Sequence, residues 1–222
     1  VPSESAAARV ARDLRERLSA GLVEPGTALS QTGVAEEYGV SRIPVRDALQ
    51  QLAAEGLVEL RGATAVVTPL SIEDLQELYE LREAVEPLAT RLAVPRVGRA
   101  ALTRMRHLLA TMEDDATAPR AWLEANTAFH AEVYALAGRP RMVALVEQLR
   151  RLTDRYLYVH LDVIGDVEHL QAEHRAILAA VEAGDAQAAA ELTRVHLASS
   201  HSVVLDHLLA QEARGRGEQA GG

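Results

Sequence analysis

Three histidines and one asparagine have the types and spacing to hold an ion. Asn126 and His130 are four residues apart, so on a helix both project from one face, while Phe129 and Val133 continue towards a core. His174 precedes the apolar Ile177, Leu178 and Val181, and His196 lies between Val195 and Leu197. Three imidazoles from three different helices, all beside apolar stripes, could therefore converge on one interior point. Neutral imidazole suits Zn²⁺, Ni²⁺ and similar ions, and an asparagine oxygen can add a ligand. The residues alone leave a second reading open, in which each histidine is a satisfied core or surface group. His107, His160, His169, His201 and His207 have no comparable pairing.

A second group is cationic. Tyr38 to Leu49 reads as a tight turn followed by a helix start, with Gly39 able to take the positive φ of a sharp turn. Ser41 is placed as an N-cap whose hydroxyl would satisfy first-turn N–H groups. Pro44 then falls at the third helical position, where a missing N–H costs little. Arg42 and Arg46 share one face, and Val45, Leu49 and Leu52 share the opposite one. A first turn presenting two arginines and small polar residues suits the major groove, where arginine pairs with guanine edges or phosphates. The competing reading is an ordinary surface helix with two solvated arginines.

The elements that would position these groups can be read along the chain. Apolar residues recur at helical spacing from Ser5 to Ala20, Leu29 is a short strand or extended link, and Ser30 caps a short helix through Tyr38. The helix from Arg42 ends near Gly56, and Leu57–Leu60 with Ala65–Thr68 form a hairpin whose tip carries Arg61 and Gly62. This gives a winged helix-turn-helix over residues 1–70. From Ser71 the pattern is helical: to about Val94, then Arg99–Asp114, Arg120–Ala137, Pro140–His160, Asp166–Ala183 and Asp185 to about Ala213. Gly138, Gly165 and Gly184 punctuate these segments. Short connections between amphipathic helices predict an all-α antiparallel bundle over 71–214, and 215–222 reads as a disordered tail. The fold expected is mainly α.

Composition sets outer bounds. In 222 residues, 48% are hydrophobic but only 3% aromatic, so the core must be built from Leu, Val, Ile and Ala. There is no cysteine, which removes disulfides and thiolate ligands or nucleophiles together. No apolar run approaches a membrane span and no signal-peptide pattern appears, so a cytoplasmic bacterial protein is expected. The basic residues are all arginine. Seven face nine carboxylates in residues 1–70, and sixteen face twenty-three in the remainder, giving a net charge of −9. DNA binding would depend on where Arg42, Arg46, Arg61 and the N-terminal arginines sit, with modest non-specific affinity and strong salt sensitivity.

At this point the chain resembles the winged-helix regulators of the GntR family. The matching run is Gly26-Thr27-Ala28-Leu29, Val34-Ala35, Val40-Ser41-Arg42, Pro44 to Leu49, Leu52 and Glu55-Gly56-Leu57-Val58. The resemblance implies that Ser41, Arg42 and Arg46 face DNA, and Thr32, Ile43 and Pro44 join that candidate set; Arg61-Gly62 at the hairpin tip could press into the adjacent minor groove, the alternative being a hairpin that only covers the helices. Many relatives carry arginine and glutamate where this chain has Thr32-Gly33, so one DNA contact is in doubt and the second helix is softened by a glycine.

The later segments resemble the FCD effector domain of the FadR-type branch. The residues that carry this are Leu78-Tyr79-Glu80-Leu81-Arg82, Glu86-Pro87-Leu88-Ala89, Asn126, His130, Glu173-His174, Ile177-Leu178, Gly184-Asp185 and His196. The resemblance implies a divalent ion, Zn²⁺ or Ni²⁺, on Asn126, His130, His174 and His196. Asparagine in place of aspartate removes one negative charge from that set. It also implies an effector pocket lined by Arg82; beside it, Arg150, Arg151 and Arg155 are weaker pocket candidates, and Tyr134 or Tyr158 could add a hydroxyl. For Arg82 an internal ion pair with Glu86 is an equal alternative.

The function expected is a ligand-responsive transcription regulator, a repressor by preference. It would bind a near-palindromic double-stranded operator as a homodimer and respond to a small carboxylate. Two other classes stay open: a metal-dependent hydrolase fused to a DNA-binding module, and a metal-free ligand sensor. Against the hydrolase, no HExxH pattern is present and Glu173 is expected to point away from the histidines.

Overall fold

A computed structural model of the chain describes residues 4–114, 117–159 and 168–220. The expectations at the extreme N-terminus, at His160, Gly165 and Asp166, and at the last two residues lie outside these. The chain divides into two compact units. The first comprises residues 1–71 with Asp154–Val159, and the second 72–153 with 160–222. Among the described residues, no helix is long and apolar enough to cross a membrane.

In the first unit, α1 (Ala6–Ser19) starts at Ser5, whose hydroxyl accepts from the Ala8 N–H, and buries Val10, Ala11, Leu14 and Leu18. The strand β1 (Ala28–Ser30) leads into α2 (Gln31–Tyr38), where the Ser30 hydroxyl accepts from the Gly33 N–H at 3.0 Å. A Cβ on Gly33 would stand 3.0 Å from that same oxygen, so the cap and the glycine come as a pair. Gly39, at φ +62°, closes α2 in the left-handed region and reverses the chain into α3 (Arg42–Ala54).

β2 (Val58–Arg61) and β3 (Thr64–Val67) are joined through Gly62, at φ +65°, and Ala63. Glycine first, with no positive φ at Ala63, is the pattern of a type II′ hairpin turn. Leu29 proves to be strand: β1 pairs antiparallel with β3, giving a three-stranded sheet in the order β1-β3-β2. Side chains lock the unit. Arg15 makes a two-pronged bond to Glu55 at 2.6 and 2.7 Å, and the Tyr38 hydroxyl donates to Asp13.

One cap differs from expectation. Ser41 stands at the N-cap of α3 with extended backbone, yet its hydroxyl makes no capping bond. Such a hydroxyl serves the second or third helical N–H. The third helical residue is Pro44, which has none.

The second unit is helical. It contains α4 (Ile72–Ala93), a 3₁₀ turn (Val94–Arg96), α5 (Arg99–Glu113), α6 (Pro119–Tyr134), the larger part of α7 (Pro140–Val159), α8 (Glu168–Glu182) and α9 (Ala186–Ala220). The main packing partners are α4 with α9, α5 with α6 and α8 with α9. The core includes Leu75, Tyr79, Met105, Leu123, Phe129, Ile177 and Leu197, a composition poor in aromatics as the sequence predicts.

Pro87 sits inside α4, where it withholds the N–H that would reach the turn before it. One residue earlier, the Glu86 carbonyl accepts from the Thr90 hydroxyl at 3.1 Å. The last helix, expected to end near Ala213, continues to Ala220. Extending an existing helix needs no new nucleus, and each glycine within it costs only about 1 kcal/mol.

Candidate functional site

α6, α8 and α9 bring His130, His174 and His196 together, as the apolar stripes around them imply. Each of the three can offer a ring nitrogen within 4.8 Å of the others, and their exposures are 4, 0 and 4%. Ring centroids are 4.4 Å apart for His174 and His196, 5.0 Å for His130 and His196 and 5.3 Å for His130 and His174. Asn126, one turn before His130, is buried as well.

Hydrogen bonds from outside the cluster fix two tautomers. Gln171 donates through Nε2 to the Met112 carbonyl at 2.5 Å, which turns its Oε1 towards His174 Nδ1 at 3.2 Å. His174 Nδ1 must then carry the proton, leaving a lone pair on Nε2. His196 Nδ1 lies 2.9 Å from a Glu173 carboxylate oxygen, whose other oxygen accepts from Ser199 at 2.6 Å. By the same logic His196 Nε2 also carries a lone pair. Glu173 therefore does touch the cluster, contrary to expectation. It does so through the ring nitrogen that faces away from the prospective ion, bridging α8 to α9.

The residues fit a metal on their own chemistry. Asn126 Oδ1, His130 Nε2 and His174 Nε2 are buried and, among the described residues, have no hydrogen-bond partner. Leaving such atoms unsatisfied costs about 1–3 kcal/mol each, which a cation bound by their lone pairs would offset. Burial depresses the pKa of His130 and His174 well below the ordinary histidine value, helped for both by the positive field of Arg150. Burial also lowers that of His196, although the Glu173 carboxylate pulls the other way. All three are thus held in the neutral form that binds metal.

Beside the histidines lies a charged network. Arg82 Nε donates to Glu86 at 2.6 Å, the Tyr134 hydroxyl donates to the other Glu86 oxygen at 2.7 Å, and Arg150 reaches that oxygen at 3.4 Å. Tyr134 stacks on His130 with centroids 6.0 Å apart. Burial alone would raise the Glu86 carboxyl, but the two guanidiniums outweigh it and hold the group below the usual carboxylate range. Arg82 and Tyr134 are therefore placed beside the cluster, and Arg82 takes up the internal ion pair that was its alternative.

Arg151 and Arg155 are not brought in. Arg151 is half-buried, with no charge or hydrogen-bond partner among the described residues. Arg155 belongs to the first unit and donates to the Thr68 carbonyl at 2.6 Å. It is Arg150 that faces the histidines, because Val146, Leu149 and Thr153 define the buried face of α7 and Arg150 shares it. Arg150 was one of the three α7 arginines the sequence offered as pocket candidates. Trp122 was missed. It precedes Asn126 by one turn, its ring lies 6.3 Å from His174, and its Nε1 is buried without a hydrogen-bond partner among the described residues.

In the first unit, Thr32, Ser41, Arg42, Ile43, Arg46, Arg61 and Gly62 are exposed, and Pro44 is half-buried. Ile43 is 65% exposed at the start of α3. Among the described residues, Arg46 meets only its neighbour Asp47 at 3.1 Å, and Arg61 only Glu59 at 3.1 Å. Val45, Ala48, Leu49 and Leu52 form the buried face opposite.

The fold is that of a helix-turn-helix regulator with a helical second domain, and comparison with known proteins agrees. Residues 6–67 match the family described as bacterial regulatory proteins, gntR family, and residues 77–199 match the FCD domain. The chain belongs to the GntR family, with an FCD domain following its winged helix. It is 30% identical over 197 residues to the HTH-type transcriptional repressor GlaR of Escherichia coli K12, spanning 84% of this chain and 90% of that one. A gluconate operon transcriptional repressor of Bacillus licheniformis is 41% identical over 96 residues, but the match takes in only 38% of that protein's length and 43% of this chain. Among solved structures, E. coli McbR/YncC superposes with a TM-score of 0.81 at 22% identity, over 93% of this chain and all of that one, which speaks for the fold alone.

Proposed function

We propose that this protein is a cytoplasmic transcription regulator, a repressor by preference, that binds a near-palindromic operator as a homodimer. Its helical domain would hold a divalent ion and a small carboxylate effector. Asn126, His130, His174 and His196 would hold the ion, Zn²⁺ or Ni²⁺. A bound cation would act as a Lewis-acid anchor for the effector's carboxylate. The protein's own groups do the rest. Gln171 and Glu173 orient two of the imidazoles, Arg82, Arg150 and Tyr134 set the electrostatic field beside them, and the surrounding apolar side chains exclude water. On the DNA side, Arg42 and Arg46 would enter the major groove, with Thr32, Ser41, Ile43 and Pro44 along the same edge and Arg61-Gly62 at the wing. Effector and operator affinities would then be reciprocally coupled.

The observation that carries this reading is the set of buried, partnerless atoms on Asn126, His130 and His174. The relatives it aligns with bear the names of transcriptional repressors, which favours a sensing role over hydrolysis. The test is metal content by mass spectrometry on untagged protein prepared without chelator. About one ion per chain, lost in the His130→Ala/His174→Ala double variant while that variant still binds promoter DNA, is the expected result. Equal metal in the double variant would place the ion elsewhere, and turnover of simple esters or amides would favour the hydrolase instead.

A further inference from the structure

One face of α6 carries a polar group at every turn. Trp122, Asn126, His130 and Tyr134 follow one another at four-residue spacing, and all four are buried. Tyr134 commits its hydroxyl to Glu86. Each of the other three keeps a buried polar atom without a hydrogen-bond partner among the described residues: Nε1 of Trp122, Oδ1 of Asn126 and Nε2 of His130. The indole also meets His174 at an interplanar angle of 62°, with ring centroids 6.3 Å apart, and Nε2 of that histidine is idle too.

The idle atoms differ in kind. Asn126 Oδ1 and the imidazole nitrogens can offer lone pairs to a cation. An indole N–H is a donor only, so a cation leaves it unsatisfied. A buried donor without an acceptor is costly, and an oxygen is what relieves it. That need is the same whichever ion is resident and however the histidines are protonated, because the indole carries no charge.

We propose that Trp122 is a ligand-binding residue of this site, donating its Nε1 hydrogen to a second oxygen of the effector beyond the anchored carboxylate. Trp122 stands one turn of α6, about 5.4 Å, from Asn126, so the second oxygen lies at about that distance along the ligand. The effector class is then an oxo- or hydroxy-carboxylate, not a plain alkanoate. A site built to hydrogen-bond such an oxygen rejects the analogue lacking it, because the buried donor is left unpaired. The inference rests on the reading that the histidine-lined site takes a carboxylate, and it adds the second point of attachment.

The test uses full-length protein loaded with Zn²⁺ and labelled with ¹⁵N in the indole, which gives one cross-peak because the chain has one tryptophan. Pentanoate and 4-oxopentanoate, which differ by a ketone oxygen alone, are titrated in parallel. The oxo acid is expected to bind about fivefold more tightly and to move the indole proton downfield, and Trp122→Phe should erase the difference in affinity. Equal affinities overturn the inference, since water then serves the indole as well as the ketone does. Bound 4-oxopentanoate that leaves the cross-peak in place also overturns it, and would set the N–H against the face of a neighbouring ring. So does a preference that persists in Trp122→Phe, which would assign the ketone to another donor. The cross-peak needs no variant and decides the matter should Trp122→Phe fail to fold. If neither acid binds, the carboxylate site and this inference fall together. If both bind alike, only the role of Trp122 falls.

Discussion

The two units use arginine in opposite ways. On α3 and at the wing, Arg46 and Arg61 have side chains 56 and 64% exposed, each beside a single exposed carboxylate. In the helical unit, Arg82 and Arg150 have side chains 6% exposed and face a carboxylate with no exposure. An exposed guanidinium stays hydrated, costs little and contributes almost nothing to stability, so it remains available for an outside partner. A buried one must be neutralised internally, and breaking that neutralisation is expensive. The same side chain therefore serves recognition in one unit and holds a fixed charge in the other, and solvent access decides which.

The contrast can be broken most forcefully at Glu86. Glu86→Ala removes the carboxylate that two buried guanidiniums share and should cost about 3–5 kcal/mol in urea unfolding; a loss below about 1 kcal/mol would mean that water already reaches the pair. Next comes Arg46→Ala, which should weaken operator binding by about 1–3 kcal/mol while stability stays within about 0.5 kcal/mol. Retained affinity would show that α3 does not read DNA.

Gly39→Ala tests the turn that presents α3. Nothing lies within 4 Å of the added Cβ, so only the φ of +62° opposes it, and the expected loss is about 1–2 kcal/mol. The smallest effect concerns pH. Burial and the bond to Asp13 push the Tyr38 hydroxyl up from 10.0 to about 12. The folded state therefore prefers the protonated phenol, so this contribution is present below pH 10 and is lost as pH rises through about 12. Tyr38→Phe should flatten that alkaline decline in melting temperature, and an unchanged profile would assign it to other groups.

Periodicity made most elements legible, because the apolar residues of α1, α3 and α4–α9 repeat at helical spacing and glycines at 39, 56 and 184 take positive φ where the chain turns. The convergence of His130, His174 and His196 could be read for the same reason: each lies beside an apolar stripe. Other features needed coordinates. Ser41 resembles any N-cap until Pro44 is seen to lack the N–H it would serve. Arg150 and Arg155 are both buried, and only coordinates show that the first reaches Glu86 while the second donates to the Thr68 carbonyl. Glu173, next in sequence to His174, serves His196 on another helix, and no local pattern announces a bond across 23 residues.

One feature of α6 makes the molecule its own instrument. Trp122 is the chain's single tryptophan, and its indole stands edge-on to His174 with centroids 6.3 Å apart. Intrinsic fluorescence excited in the indole band therefore arises from one place, beside the candidate ligand. Quenching or a wavelength shift on adding an ion or a carboxylate would report on the bundle interior without a label, and events confined to the winged helix would leave the emission dark to them.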